Sequence, residues 1–228
     1  MSKKIILKNI SKKYSTNANI KVLNDLNFSF EKGKIYSLVG PSGSGKSTLL
    51  NLLSLIDTPT AGSIEILKNK VNFKEKTKND RIRSEKIGII YQDKNLLSDF
   101  TALENVYLPM LLLTNDKYKS IIEAKKMIKK VGLSSRLNHY PSELSGGENQ
   151  RIAISRALIN QPEIILADEP TGNLDFNNAK QIFKMIFNLK NNNRIIIFAT
   201  HNRYFANMAD CKIQMINGKI KLTNARIN

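Results

Sequence analysis

Apolar and polar residues alternate over residues 4–10 and again over 20–30, where Ile20, Val22 and Leu23 lead into Leu26, Phe28 and Phe30. A period near two predicts strands of a half-exposed sheet. After the turn Glu31-Lys32-Gly33-Lys34, the run Ile35-Tyr36-Ser37-Leu38-Val39 is mostly apolar and stops at Gly40. That predicts a central strand buried on both faces. Leucines at helical spacing, with neither Gly nor Pro, predict a helix from Lys46 to Ile56. Residues 66–87 are lysine-rich and poorly periodic, which predicts exposed turns and short strands around Val71 and Phe73. From Ala102 to about Val131 the pattern is helical, with interruptions expected at Pro109 and at Thr114-Asn115-Asp116.

Past Pro141 the chain predicts a loop, then a helix from Glu148 to about Ile159, stopped by Pro162. Ile164–Ala167 and Arg194–Thr200 are two more apolar strands. The helix between them, Asn178 to Leu189, places Ile182, Met185, Ile186 and Leu189 on one face. Lys212–Ile216 and Lys219–Leu222 flank Asn217-Gly218, the pair that suits a type I′ hairpin turn. Strand–helix alternation predicts an α/β fold with a largely parallel sheet and helices on both faces. No internal repeat or disordered linker divides the chain, so residues 1–228 are expected to form a single domain.

Composition narrows the setting. The chain has 228 residues, enough to bury a real core, and 41% hydrophobic and 24% charged residues, as globular proteins do. The apolar stretch Ile5–Leu7 is too short for a signal peptide. Tyr107–Leu113 and Ile195–Ala199 fall far short of the ~20 residues that span a bilayer. A soluble, cytoplasmic protein is the expectation. A single cysteine, Cys211, excludes an internal disulfide and a cysteine metal cluster, and reads as a small core residue beside Ile213. The formal charge of +17, from 36 Lys+Arg against 19 Asp+Glu, favours polyanions such as nucleic acid, anionic lipid or nucleotide phosphates. It is spread along the chain without one long block, and alone it chooses none of them.

Chemistry concentrates in three motifs. Gly40-Pro41-Ser42-Gly43-Ser44-Gly45-Lys46-Ser47, followed by Thr48, matches the P-loop pattern and lies between a predicted buried strand and a helix. Glycines let backbone N–H groups turn inward around phosphate oxygens, and the helix N-terminus adds partial positive charge. Lys46 can reach the β- and γ-phosphates, and the Ser47 hydroxyl can ligate Mg²⁺. The second motif is Leu144-Ser145-Gly146-Gly147-Glu148, expected to form another anion cradle at a helix mouth. Alone it would be an ordinary Ser-Gly-Gly cap. In Ile164-Ile165-Leu166-Ala167-Asp168-Glu169, a buried strand delivers two carboxylates at its C-terminal end, where open α/β sheets place ligands. Asp168 can hold Mg²⁺ through water, and Glu169 is placed to polarise an attacking water as general base.

With these motifs in order, the chain resembles the nucleotide-binding domain of ABC transporters over its full length. Leu144–Glu148 is the family's own signature. The resemblance implies a RecA-like P-loop NTPase core, an antiparallel β subdomain near residues 1–35 and 60–75, and an inserted α-helical subdomain at about 93–147. It further implies that Tyr14 stacks on adenine and that Gln92 senses Mg²⁺ and the attacking water. Asp175, in Gly172-Asn173-Leu174-Asp175, would lie at a dimer interface, and His201 would contact the γ-phosphate. His139 matches no such role. Leu96-Leu97 with Thr101–Val106, Tyr140–Gly147 and Ala167–Asp175 are similar to the ATPases of lipoprotein release, macrolide export, cell division and antimicrobial-peptide export. Asn149 departs from the usual glutamine, and residues 66–80 match poorly.

The implied function is ATP binding and hydrolysis for a separately encoded membrane permease, at the inner face of the membrane. Two copies would pair head to tail, with Ser145, Gly146, Gly147 and Glu148 of one closing over ATP held by the other. The cofactor set is ATP and Mg²⁺. A nucleic-acid-associated ATPase of the same family would suit the charge, but such proteins carry two such domains or long coiled coils, and this chain has one P-loop and no heptad run. The permease is expected near Gln92, on some of Leu96, Leu97, Phe100, Tyr107, Leu108 and Met110.

Overall fold

The structure, a computed structural model, describes residues 4–14 and 20–225. Strands β1 (Lys4–Tyr14), β2 (Ile20–Glu31), β4 (Ala61–Ile66) and β5 (Asn69–Lys70) form an antiparallel sheet in the order β2-β1-β4-β5. The second sheet has the order β10-β9-β3-β8-β7-β6. It is built from β3 (Lys34–Val39), β6 (Ile87–Ile90), β7 (Ile164–Asp168), β8 (Ile195–Ala199), β9 (Cys211–Ile216) and β10 (Lys219–Ala225). Strands β6, β7, β8, β3 and β9 run parallel, and β10 closes an antiparallel hairpin on β9. Asn217 and Gly218 have φ 48° and 71°, as the type I′ turn requires.

Helix α1 (Lys46–Leu53) lies between the two sheets. Its Leu49, Leu50, Leu52 and Leu53 join Ile5, Leu7 and Ile66 of one sheet and Leu38, Ile197 and Ile213 of the other in one buried cluster. The opposite face of the parallel sheet packs Ile165, Ile196 and Phe198 against Ile182, Phe183 and Ile186 of α6 (Phe176–Phe187). Each such side chain contributes about 1.5–3 kcal/mol on burial. A third cluster joins α3 (Ala102–Thr114), α4 (Lys117–Lys130) and α5 (Gly146–Leu158) through Val106, Ala124, Ile128 and Ile152. Helix α5 belongs to two clusters: Ile154 and Leu158 face the sheet, while Ile152 faces α3 and α4.

Three expectations need correction. Residues 76–86 form a helix, α2 (Lys76–Lys86); the short strand expected near Val71 is β5, which ends at Lys70, and Phe73 lies in a turn. Only Ile82 gives this helix an apolar anchor. It is held instead by Arg81–Glu85 and Arg83–Asp80 pairs, both at 2.7 Å, by Arg83 donating to Leu55 O, and by buried Asn79 donating to Asn72 O. Pro109 sits inside α3 without ending it, and its carbonyl accepts from Asn160 Nδ2 at 3.2 Å. Helix α1 stops at Leu53, because Leu55 turns to φ 60°.

Candidate active site

The C-terminal ends of β3, β6, β7 and β8 lie on one edge of the sheet, and the segments leaving them converge on a cavity of about 470 Å³. Its walls include Ser42, Gly43, Gly45, Lys46, Ser47 and Thr48 after β3, Gln92 after β6, Asp168 and Glu169 at the end of β7, and His201 after β8. Local chemistry dictates the bend after β3. Gly45 caps α1 at φ 98°, and a Cβ there would stand 2.7 Å from Leu23 Cδ2. No side chain caps this helix and its first turn holds no acid. Its free N–H groups and dipole are left to an anion.

Lys46 is buried, and its ammonium donates to Gly40 O at 2.9 Å and Pro41 O at 3.0 Å. Burial pushes its pKa down, while Glu169 and Asp168 pull it up. Asp168 Oδ1 and Glu169 Oε1 are buried acceptors without a hydrogen-bond partner. Orphaned oxygens of that kind are costly, and here they face the phosphate loop. Together with the Ser47 hydroxyl and Gln92 they fit a hydrated Mg²⁺, which takes few protein ligands and keeps waters and substrate phosphates.

Glu169 has φ 43°, a left-handed backbone costly for a residue with a side chain. Its N–H is anchored on Ala199 O at 3.1 Å, and its Oε2 accepts from His201 N at 3.3 Å. His201 Nε2 stands 3.3 Å from Glu169 Oε1 without the alignment of a hydrogen bond. Gln92 is fitted against Gly172, where a Cβ would come within 3.0 Å of its amide nitrogen.

Other expected residues lie elsewhere. Tyr14 is outside the cavity wall, 38% exposed, with its hydroxyl donating to Asp57 Oδ2 at 2.9 Å. Burial and then the Asp57 carboxylate raise its pKa, and Thr48 adjoins the same hydroxyl. Lys12, paired with Asp57 at 2.6 Å, holds its ammonium 4.7 Å from the Tyr14 ring centroid. Reading the sequence missed Lys12 and Asp57: they stand 45 positions apart and match no motif.

Ser145, Gly146, Gly147 and Glu148 do not line the cavity of their own chain. At this helix mouth the Ser145 and Glu148 N–H groups are bonded within the chain. Ser145 Oγ accepts from Glu148 N at 3.2 Å, and Glu148 Oε2 accepts from Ser145 N at 2.8 Å, a reciprocal capping box. Arg136 adds a 3.1 Å bond to Glu148. Asp175 likewise caps α6, accepting from Asn177 N and Asn178 N.

Residues 23–172, most of the chain, match the family described as ABC transporter. The chain belongs to the ABC transporter family. Its fold is the α/β ATPase cassette, and it is an ABC-type ATPase. The chain is 43% identical to the lipoprotein-releasing system ATP-binding protein LolD of Rickettsia bellii, across 98% of this chain and all of that one. It is 40% identical to LolD of Cytophaga hutchinsonii, across 91% of this chain and 95% of that one. Among solved structures, the ATP-binding cassette MJ0796, a dimer in a post-hydrolysis state bound to ADP and Pi, superposes with a TM-score of 0.90 at 35% identity, over 97% and 99% of the two chains. Among the described residues of this ABC protein, no helix is long and apolar enough to cross a membrane.

Proposed function

We propose that this chain is the ATP-hydrolysing subunit of a lipoprotein-releasing type of ABC transporter, acting as a head-to-tail pair beneath a separately encoded permease. One observation carries the hydrolytic reading: two buried, unpartnered carboxylate oxygens, on Asp168 and Glu169, face the loop that holds Lys46. The N–H groups around Gly43–Ser47 take the phosphates of ATP, and the Lys46 ammonium leaves its loop carbonyls for the β- and γ-oxygens. Ser47, Asp168 and Gln92 hold Mg²⁺, which when bound neutralises charge on the phosphate oxygens. Glu169 Oε1 takes the proton of the attacking water, and His201 orients that carboxylate and contacts the γ-phosphate. Tyr14 stacks on the base at the rim.

Ser145–Glu148 and Asp175 lie off the chain's own cavity, which supports completion of each site by the second copy. For the permease, a groove of about 850 Å³ runs between α2, β6 and the inserted helices. Leu97, Leu108 and Leu112 line it, and Phe100 is exposed, whereas Leu96, Tyr107 and Met110 pack into the third cluster. Arg156 donates to Lys94 O and Asn95 O, both at 2.6 Å, and so ties the groove to the segment after Gln92. The inserted unit over about 93–147 is thereby a coupling element, and the pair sits on the inner face of the membrane.

Two variants test this reading. Glu169→Gln keeps ATP binding and loses turnover by about 10²–10⁴-fold, the range for a general base; near-normal hydrolysis refutes the assignment. Leu97→Asp keeps its melting temperature and ATP binding but loses permease-stimulated ATPase. Normal stimulation in that folded variant puts the docking site elsewhere.

A further inference from the structure

Behind the catalytic cavity lies a second one, of about 450 Å³, which shares His201 as a wall. Gly40 and Pro41 line the rear chamber, and their carbonyls accept from the ammonium of Lys46, which lines the catalytic one. The two chambers differ in charge. The catalytic one opposes Lys46 with Asp168 and Glu169, whereas the rear one holds Arg203 and Lys212 and none of its lining residues is acidic. Among the described residues the Lys212 ammonium bonds a neutral partner, Asn207 Oδ1 at 2.9 Å, and no ion pair involves Lys212 or Arg203.

We propose that this rear chamber is the exit path for inorganic phosphate, with Arg203 and Lys212 as its receiving cations. The inference rests on the ATPase reading above. Phosphate freed by hydrolysis is an anion beside the Asp168 and Glu169 carboxylates, with ADP still across the front of the cavity. The two carboxylates there oppose the pull of Lys46 on it. The chamber behind His201 offers two cations that no described residue pairs as an ion, and clefts lined by one sign of charge concentrate and steer the opposite ion. The partition can open at one side chain: the His201 imidazole is exposed, while its backbone N–H is fixed on Glu169 Oε2. Turning the ring leaves that anchor in place. Neither Arg203 nor Lys212 touches the catalytic cavity, so their effect falls after bond cleavage.

The test separates cleavage from release in single-turnover experiments on the full chain. Rapid quench reads ATP cleavage, and a fluorescent phosphate sensor reads free phosphate. Arg203→Ala with Lys212→Ala should leave cleavage unchanged and slow release by about 10-fold, the low end of electrostatic steering effects. The gap should close at about 0.5 M salt, where charges are screened within a few ångströms. The charge-keeping pair Arg203→Lys with Lys212→Arg should release at the wild-type rate. Release that keeps pace with cleavage in the alanine variant overturns the proposal. So does a slowing of cleavage by the same factor, or a slow release indifferent to salt. A wild-type chain that cleaves no ATP defeats the underlying ATPase reading, which the quench arm shows independently of the sensor.

Discussion

Two helices of this protein begin at glycine-rich segments, and they treat their N-termini in opposite ways. Helix α1 starts at Gly45 with no side-chain cap and no acid in its first turn. Helix α5 starts at Ser145 with a complete capping box, and Arg136 braces the Glu148 that closes it. What distinguishes the two is the side-chain cap: α1 has none, whereas α5 bonds the Ser145 and Glu148 N–H groups within the chain. At α1 the fold keeps them free and holds Lys46 on Gly40 O and Pro41 O, a charge ready to move. At α5 the cap spends the N–H of Glu148, and the Glu148 carboxylate offsets the dipole.

Substitutions can break this contrast from either side. The largest effect is expected at Gly45→Ala. A left-handed backbone costs a non-glycine residue about 1–2 kcal/mol, and the added Cβ would meet Leu23 Cδ2 at 2.7 Å. ATP binding should be lost along with several degrees of melting temperature, read by nucleotide titration and thermal unfolding. A variant that folds and binds normally would show that the bend does not shape the phosphate site.

Ser145→Ala should cost about 1 kcal/mol, as the loss of a helix cap does. ATP binding by the single chain should persist, since Ser145 is off its cavity. Melting curves beside ATP titration check this, and equal loss of both would mean that the two helix mouths are not independent. The same cap gives a pH dependence. Hydrogen bonds from the Ser145 backbone and side chain, with Arg136 beside them, hold the Glu148 pKa below its ordinary 4.5. A depressed carboxylate stabilises the fold above its unfolded pKa, and that contribution fades as pH falls through the folded value. Glu148→Gln, which can still close the box, should therefore flatten the stability profile below about pH 4.5; an unchanged acid limb would remove Glu148 from the account.

The smallest effect belongs to Tyr14→Ala, which should weaken nucleotide binding by about 0.5–1.5 kcal/mol, the worth of an aromatic stack. GTP should bind the parent protein too, because guanine also offers a π-face. Unchanged ATP affinity would reduce Tyr14 to its contacts with Asp57 and Lys12.

Where local sequence carries the cause, reading it succeeds. The strand ending at Val39, the Gly45 bend and the carboxylates of Asp168 and Glu169 all follow from adjacent residues. Helix α2 failed because its cohesion comes from ion pairs and from Arg83 reaching Leu55 O, which apolar periodicity does not register. Pro109 misled for a related reason: a helix packed on neighbours tolerates one missing bond. The self-capping of Ser145 and Glu148 was written in plain Ser-x-x-Glu spacing, beside the glycines that carry the anion reading. The Lys12–Asp57 clamp on Tyr14 had no local signal, since β1 and the turn after α1 meet only in the folded chain.

The placement of β3 has a consequence for how the protein is made. Its ladder partners are β8 and β9, with Ile35 beside Ile196 and Leu38 beside Ile213, about 160 and 175 residues later. Gly40, where the phosphate loop begins, lies so close to Met215 O that a Cβ would come within 2.3 Å of it. On the ribosome, then, the nucleotide loop is translated early and must wait for nearly the whole remaining chain, roughly 10–30 s at ordinary elongation rates. A nascent chain released before Cys211 lacks one of the strands that flank β3. ATP can therefore reward a chain only once β9 has followed β8 into place, and products cut before Cys211 carry the motif without the strand that braces it.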